Sequence, residues 1–198
     1  MNLIVDGLPE SVEIGGKHIP IHTDFRTGIL LSEAICDPAL SVRDKFATLL
    51  SLYYPGVPLT PAMLPEAADR AVWFFRCGKD LQETDKADPE EPEDPAFSYE
   101  HDADYIYAAF LQAYGIDLVR ARLHWWQFQA LFTSLPEDTK LVTIIGYRTM
   151  KIPESMPKEQ KAFYRKMKAR YALPQPQTKE DKQLAEILLN GGNPDQYL

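Results

Sequence analysis

Four histidines (His18, His22, His101 and His124), two cysteines (Cys36 and Cys77) and 29 acidic residues are the groups in this 198-residue chain that could bind a metal or move a proton. His18 and His22 are read onto one face of a hairpin strand, but zinc asks for three or four ligands and no further donor follows at a usable spacing. His101-Asp102 is the one His-Asp dipeptide, the start of a metal phosphohydrolase set, yet histidines at helical spacing to complete it are lacking. Cys36 and Cys77 stand outside any CxxC pair and read as reduced thiols. No GxxxxGK[ST], GxGxxG or GxSxG motif occurs. Asp102 and Asp104 fit a plainer role, charge and capping at a helix N-terminus. With no grouping that assigns acid, base and nucleophile, the expectation is a protein that is not an enzyme and needs no metal or cofactor.

The pentapeptide HWWQF, residues 124–128, is the other concentration of capable side chains. Projected at 100° per residue, 118–132 reads as one helix with two apolar arcs. Val119, Leu123, Trp126 and Ala130 form one arc; Leu118, Ala121, Trp125, Phe128 and Phe132 form the other. A helix apolar on two sides is packed on two sides. HWWQF is therefore expected at the waist of a central helix, each tryptophan anchoring a different neighbour. Trp125, Trp126, Phe128, Phe110 and Tyr114 are the expected core anchors. An aromatic platform for nucleic acid would want exposed rings beside basic residues, and the surroundings are acidic.

The elements that must position these residues are mostly helical. SVEIGGKHIP alternates about Gly15-Gly16 and predicts a hairpin. Thr23 or Asp24 caps a first helix that Pro38 stops; Ser41 caps a second that ends at Pro55-Gly56; LPEAADRAVWFFRCG is a third, with Pro65 early and Gly78 at its close. DADYIYAAFLQAY closes on Gly115, and Asp117 is expected to cap the helix bearing HWWQF. Ser134-x-x-Glu137 has capping-box spacing for the helix that follows. Arg148 is expected to reach an acid, with Asp117 as one candidate.

Charge divides the chain. The net charge is −8 overall. From 79 to 104 eleven acids face only Lys79 and Lys86, a net of −9, with three prolines among them; so polar a stretch reads as a mobile acidic linker. From 151 to 170 seven bases face two acids, a net of +5. There Phe163, Met167 and Tyr171 recur every fourth residue along a basic helix. Phe163, Tyr164, Met167 and Tyr171, with Lys161 and Arg165, are the candidate partner-binding residues. TKEDKQLAEILLN, flanked by prolines, predicts a last helix. The fold class is mainly α: a helical bundle with a short N-terminal β-hairpin and an acidic central linker. Residues 1–172 are read as one domain (1–78 hairpin plus three helices, 79–98 linker, 99–172 helical core), and 173–198 as a helix and tail. The start has no basic, apolar leader and no run reaches membrane-span length, so neither a membrane nor, given the net charge, nucleic acid is an expected partner.

The succession VEIGGKHIPIHTDFRTGI, DADYIYAAFLQAYGIDL, LHWWQFQALFTSLPEDT and IIGYRTMKIP resembles the bacteriophage gene-product-fifteen family of siphophages and prophages, from residue 1 to about 170. The resemblance implies a tail-morphogenesis role in the cytoplasm of the bacterial host. Such genes lie between those for the major tail protein and the tape measure protein, where tail assembly chaperones are encoded. The implied partners are the tape measure protein, other tail proteins, or a second copy in a homo-oligomer. Two alternatives stand beside it: a structural component or connector kept in the virion, and nucleic-acid binding through the basic helix 157–171.

Overall fold

The structure, a computed structural model, describes residues 3–79 and 95–174. Most of the acidic linker, and the expected helix at 178–190, lie outside the described residues. As expected, the chain is mainly helical, with a short antiparallel hairpin at its start. Among the described residues the packing divides into two compact units, 3–79 with Arg122–Ala130, and 95–121 with 131–174.

The first unit opens with β1 (Ser11–Ile14) and β2 (Lys17–Pro20), paired in the register Val12 to Ile19 and Ile14 to Lys17. Gly15 and Gly16 turn the chain with φ of 57° and 69°, the left-handed values that only glycine adopts freely. Val12 and Ile14 face inward. Helices α1 (Phe25–Cys36), α2 (Val42–Tyr53) and α3 (Leu64–Phe75) follow, the last entered through a 3-10 turn at Pro61–Met63. Asp24 and Ser41 cap α1 and α2 by accepting from the N–H groups of Arg26 and Asp44. The outer edge of β1 is held by α3: Glu66 accepts from the Gly15 N–H at 2.7 Å and Arg70 donates to the Glu13 carbonyl at 3.2 Å.

The second unit contains α4 (Ala103–Tyr114), α6 (Lys140–Thr149) and α7 (Lys158–Tyr171), with α6 packed against both others. Gly115 closes α4 at φ 67°, as its position predicts. Phe110 is fully buried and the Tyr114 hydroxyl donates to the Leu131 carbonyl at 2.9 Å. Phe97 and Tyr99, just past the acidic stretch, pack their rings on Phe132.

Three expectations are corrected here. The helix expected over 118–132 is α5 (Trp125–Thr133) only. Asp117 does not cap it; its carboxylate accepts from the Val119 N–H at 3.0 Å and its carbonyl from Arg120 and Ala121, closing a separate turn. Residues 123–125 instead run antiparallel to 23–25, through Phe25 N–H to Leu123 (3.0 Å) and Trp125 N–H to Thr23 (2.7 Å). The bridge takes up the first N–H of α1 and of α5, groups that have no partner within their own helices, and so fixes where each helix begins. The cap of α6 is Thr139, not Ser134: its hydroxyl accepts from Val142 N–H, and the stretch containing Pro136 is a turn before the helix.

Candidate functional site

HWWQF lies at the start of α5 rather than at a waist, and several of its polar atoms close helix ends. His124 holds the N-cap place, its carbonyl accepting the first helical bond from Phe128. Its Nδ1 accepts from the Trp126 N–H at 3.0 Å, while Gln127 Oε1 accepts from the His124 N–H at 3.1 Å. This is the reciprocal arrangement of a capping box, with His-x-x-Gln standing for Ser-x-x-Glu. The indoles do the complementary task. Trp125 Nε1 donates to the Phe75 carbonyl at 2.7 Å and Trp126 Nε1 to the Phe74 carbonyl at 2.8 Å. Both are carbonyls of the last turn of α3, where helical bonding runs out; that of Phe74 also accepts from the Cys77 N–H at 3.0 Å. Both indoles thus bond the end of one helix, α3, while Trp125 also lies against Gly28 of α1.

Packing agrees with the hydrogen bonds. Trp125, 1% exposed, lies parallel to Phe75 with centroids 5.4 Å apart and at 5.8 Å from Phe128, which in turn stacks on Phe25. Trp126 meets Trp73 edge-on at 5.5 Å. Two glycines make the room. A Cβ on Gly28 of α1 would fall 2.3 Å from the Trp125 ring, and one on Gly78, itself at φ 72°, would fall 2.7 Å from Trp126. The pair is a structural clamp, with Trp125, Trp126 and Phe128 all buried.

His124 is the titratable part of this clamp. Burial holds its imidazole below the usual value, against the opposing influence of its bond to the Pro9 carbonyl (3.0 Å) and of Glu10. With Nδ1 accepting from Trp126, the neutral ring carries its proton on Nε2 and donates it to Pro9. The unfolded chain therefore binds a proton at higher pH than the folded one, so stability falls as pH drops below about 6.5 toward the lowered folded value. Urea unfolding at pH 7.5 and 5.5 should show this loss, and His124→Asn, which keeps a capping acceptor, should flatten it. An unchanged slope in that variant would assign the effect elsewhere. Nearby, burial pushes the Cys77 thiol up to about 12, which makes it a poor nucleophile at neutral pH.

The other histidines do not assemble. His22 lies beyond the end of β2 and shares a hydrogen bond with the Thr27 hydroxyl at 2.8 Å, so the strand face expected to hold His18 and His22 together does not exist. His101 turns to Ser98 at 3.2 Å. Among the described residues no three His, Cys, Asp or Glu side chains converge on a metal position.

In the second unit the joining residue is Arg148. Its guanidinium forms a two-pronged pair with Asp102 (2.6 and 2.9 Å), and also donates to the carbonyls of Tyr171 (2.6 Å) and Ala96 (3.2 Å). Asp102 and Arg148 are 1% and 6% exposed. Asp102 is thus the acid Arg148 seeks, in place of Asp117. It occupies the N-cap position of α4, but its side chain makes no cap bond; it accepts instead from the Ser98 N–H at 3.0 Å.

The candidate partner-binding residues lie on α7, and part of their surface is already used. Tyr147 of α6 meets Phe163 at 6.2 Å, Tyr164 at 6.3 Å and Tyr171 at 6.0 Å, the last ring nearly parallel. Lys140, which hydrogen-bonds the Tyr171 hydroxyl, holds that phenol below its usual range. Lys161 donates to the Glu154 carbonyl and Lys168 to that of Met150 (3.2 Å). Met167 is half-buried; Phe163 remains 49% exposed beside exposed Arg165 and Lys166. Tyr147 at the centre of this cluster was not singled out from the sequence; its place, one before Arg148 on the same short helix, is the signal that was available.

A family model described as Bacteriophage Gp15 protein matches residues 4–173. No curated protein and no solved structure matches the chain. No helix among the described residues is long and apolar enough to cross a membrane.

Proposed function

The chain belongs to the Bacteriophage Gp15 protein family, and from that premise we propose that it acts in tail morphogenesis as an assembly chaperone for the tape measure protein. Such a chaperone binds a long helical protein while tail tube subunits polymerise around it. The observation that supports this reading is the half-exposed Phe163 on a helix whose backbone is tied down at both ends. Lys161 and Lys168 fasten α7 to the preceding turn and Arg148 fastens its last residue. Tyr147 braces the ring from behind. An aromatic side chain held rigid in a basic surround loses little freedom on binding and suits an amphipathic, acidic-edged helix. The same surface involves Tyr164, Met167, Tyr171, Lys161 and Arg165, with the last adding charge and Phe163 the apolar contact. No catalytic step belongs to this role.

Co-expression is the direct test. The chain should keep an otherwise insoluble tape measure fragment in solution and co-purify with it, and Phe163→Asp with Arg165→Glu should weaken that complex at least about tenfold, as loss of a central aromatic anchor does. A fragment that stays insoluble, with no complex recovered, would end the chaperone reading. Mass spectrometry of purified virions addresses the structural alternative: a chaperone is absent, whereas a connector is present in stoichiometric amount.

A further inference from the structure

The carbonyls of Ala96 and Tyr171 accept from one guanidinium, that of Arg148, at 3.2 and 2.6 Å. Past its acidic stretch, the chain therefore enters the second unit beside the last turn of α7. Immediately before that point stands DPEEPEDP, residues 88–95, with five acids and no base. Pro89, Pro92 and Pro95 recur there at every third residue. Three residues make one turn of a polyproline II helix, so this spacing sets the pyrrolidine rings along one edge and the carboxylates along the others. The sequence of α7 is opposite in charge, with six bases and one acid. Its exposed Phe163 shares a stripe with exposed Lys166 and Arg170, three and seven positions further along. Tyr147 stands edge-on to Phe163 and parallel to Tyr171, which extends the aromatic surface. Proline-rich segments bind aromatic-lined surfaces of this kind.

We propose that residues 88–95 of this same chain dock on the α7 stripe of Phe163, Lys166 and Arg170, with prolines on the aromatic rings and carboxylates on the bases. The lengths agree. From Arg170 back to Phe163 is seven residues of α-helix, about 10 Å. From Pro95 back to Pro89 is six residues of polyproline II, about 19 Å. Glu93 and Asp94 then lie nearest Arg170, Glu90 and Glu91 nearest Lys166, and Pro89 within reach of Phe163. Attachment at Ala96 makes the encounter intramolecular, at an effective concentration on the order of mM. Individually weak pairs between exposed charges are then enough. A partner that uses Phe163 has to displace this segment, so the chain carries its own competitor. The proposal shares the α7 face with the chaperone reading but does not depend on the tape measure protein being the partner.

The test uses the full chain and a synthetic peptide of residues 87–96. A variant with Glu90→Gln, Glu91→Gln, Glu93→Gln and Asp94→Asn should bind that peptide at least about tenfold more tightly than wild type, in which the tethered copy competes. In the same neutralised background, Lys166→Glu with Arg170→Glu should abolish binding, and high salt should weaken it. A peptide with alanine in place of Pro89 and Pro92 should bind severalfold more weakly. A benzophenone amino acid introduced at position 163 of the otherwise wild-type chain should crosslink to 88–95 of the same chain, read by mass spectrometry on the monomer. Equal peptide affinity for the wild-type and neutralised chains, or binding that survives both charge reversals on α7, would overturn the proposal. An alanine peptide of undiminished affinity would overturn the part given to the prolines. Crosslinks found only between two copies would overturn the intrachain occupant. None of these readouts contains the tape measure protein, so failure of the chaperone reading leaves them unmoved.

Discussion

Replacing Arg148 with methionine is expected to cost the second unit about 3–5 kcal/mol, the range for breaking a buried ion pair from one side. Asp102 would remain buried with no countercharge, and the carbonyls of Ala96 and Tyr171 would lose a donor at the same moment. The consequences differ along the chain. Ala96 holds the approach to α4 and Tyr171 is the last residue of α7, so both should loosen while α6 keeps its Thr139 cap. Asp102→Leu should be comparably harmful, because it leaves the guanidinium unpaired. The double variant should recover much of the loss, since two apolar side chains of similar bulk often replace a buried pair at little net cost. Urea unfolding followed by circular dichroism measures all three. If either single change costs under about 1 kcal/mol, the pair lies on a wet surface in solution and the node described above does not hold the unit together.

The second large effect is expected at Trp125. Trp125→Ala should cost about 3–5 kcal/mol, the range for deleting a buried aromatic ring, and it also takes the indole donor from the Phe75 carbonyl, leaving it only the weak Cys77 thiol contact at 3.9 Å. Trp125→Phe separates the two contributions, keeping a ring and removing the indole N–H; about 1–3 kcal/mol is the usual cost of an unsatisfied buried acceptor. Gly28→Ala approaches the same place from α1. Its Cβ would sit 2.3 Å from Cδ2 and Cε3 of the indole, a contact that forces the ring or the helix to move and costs about 1–3 kcal/mol by the measure of overpacked cores. Because the ring atoms it meets belong to the indole's six-membered half, Gly28→Ala should do less harm in a Trp125→Phe background than in wild type. Strict additivity of the two changes would show that α1 and α5 do not share this contact.

Much of the scaffold was legible because its signals are local. Gly15-Gly16 turns a hairpin, Asp24 and Ser41 cap, Pro65 opens a helix and Gly115 closes one, each through the conformational limits of one or two residues. The α5 boundary failed for a matching reason. Apolar periodicity over 118–132 allowed a helix, but the backbone of 123–125 found partners a hundred residues earlier, at Thr23 and Phe25. His124-x-x-Gln127 was a readable cap and was missed because histidine is an uncommon residue there. The seam on α7 was visible as a stripe; that Tyr147 covers part of it was not.

By itself the sequence determined most of the helical segments, which residues are apolar enough to be anchors, and which family the chain resembles, since these depend on composition and on spacing within one element. Only the tertiary structure decided what each polar atom is for. It turned two adjacent indoles onto one helix end, took Asp102 from a capping role to Arg148, and left the Lys45 amine with no acceptor among the described residues. A buried donor needs an acceptor wherever one lies in space, and distance along the chain carries no information about that.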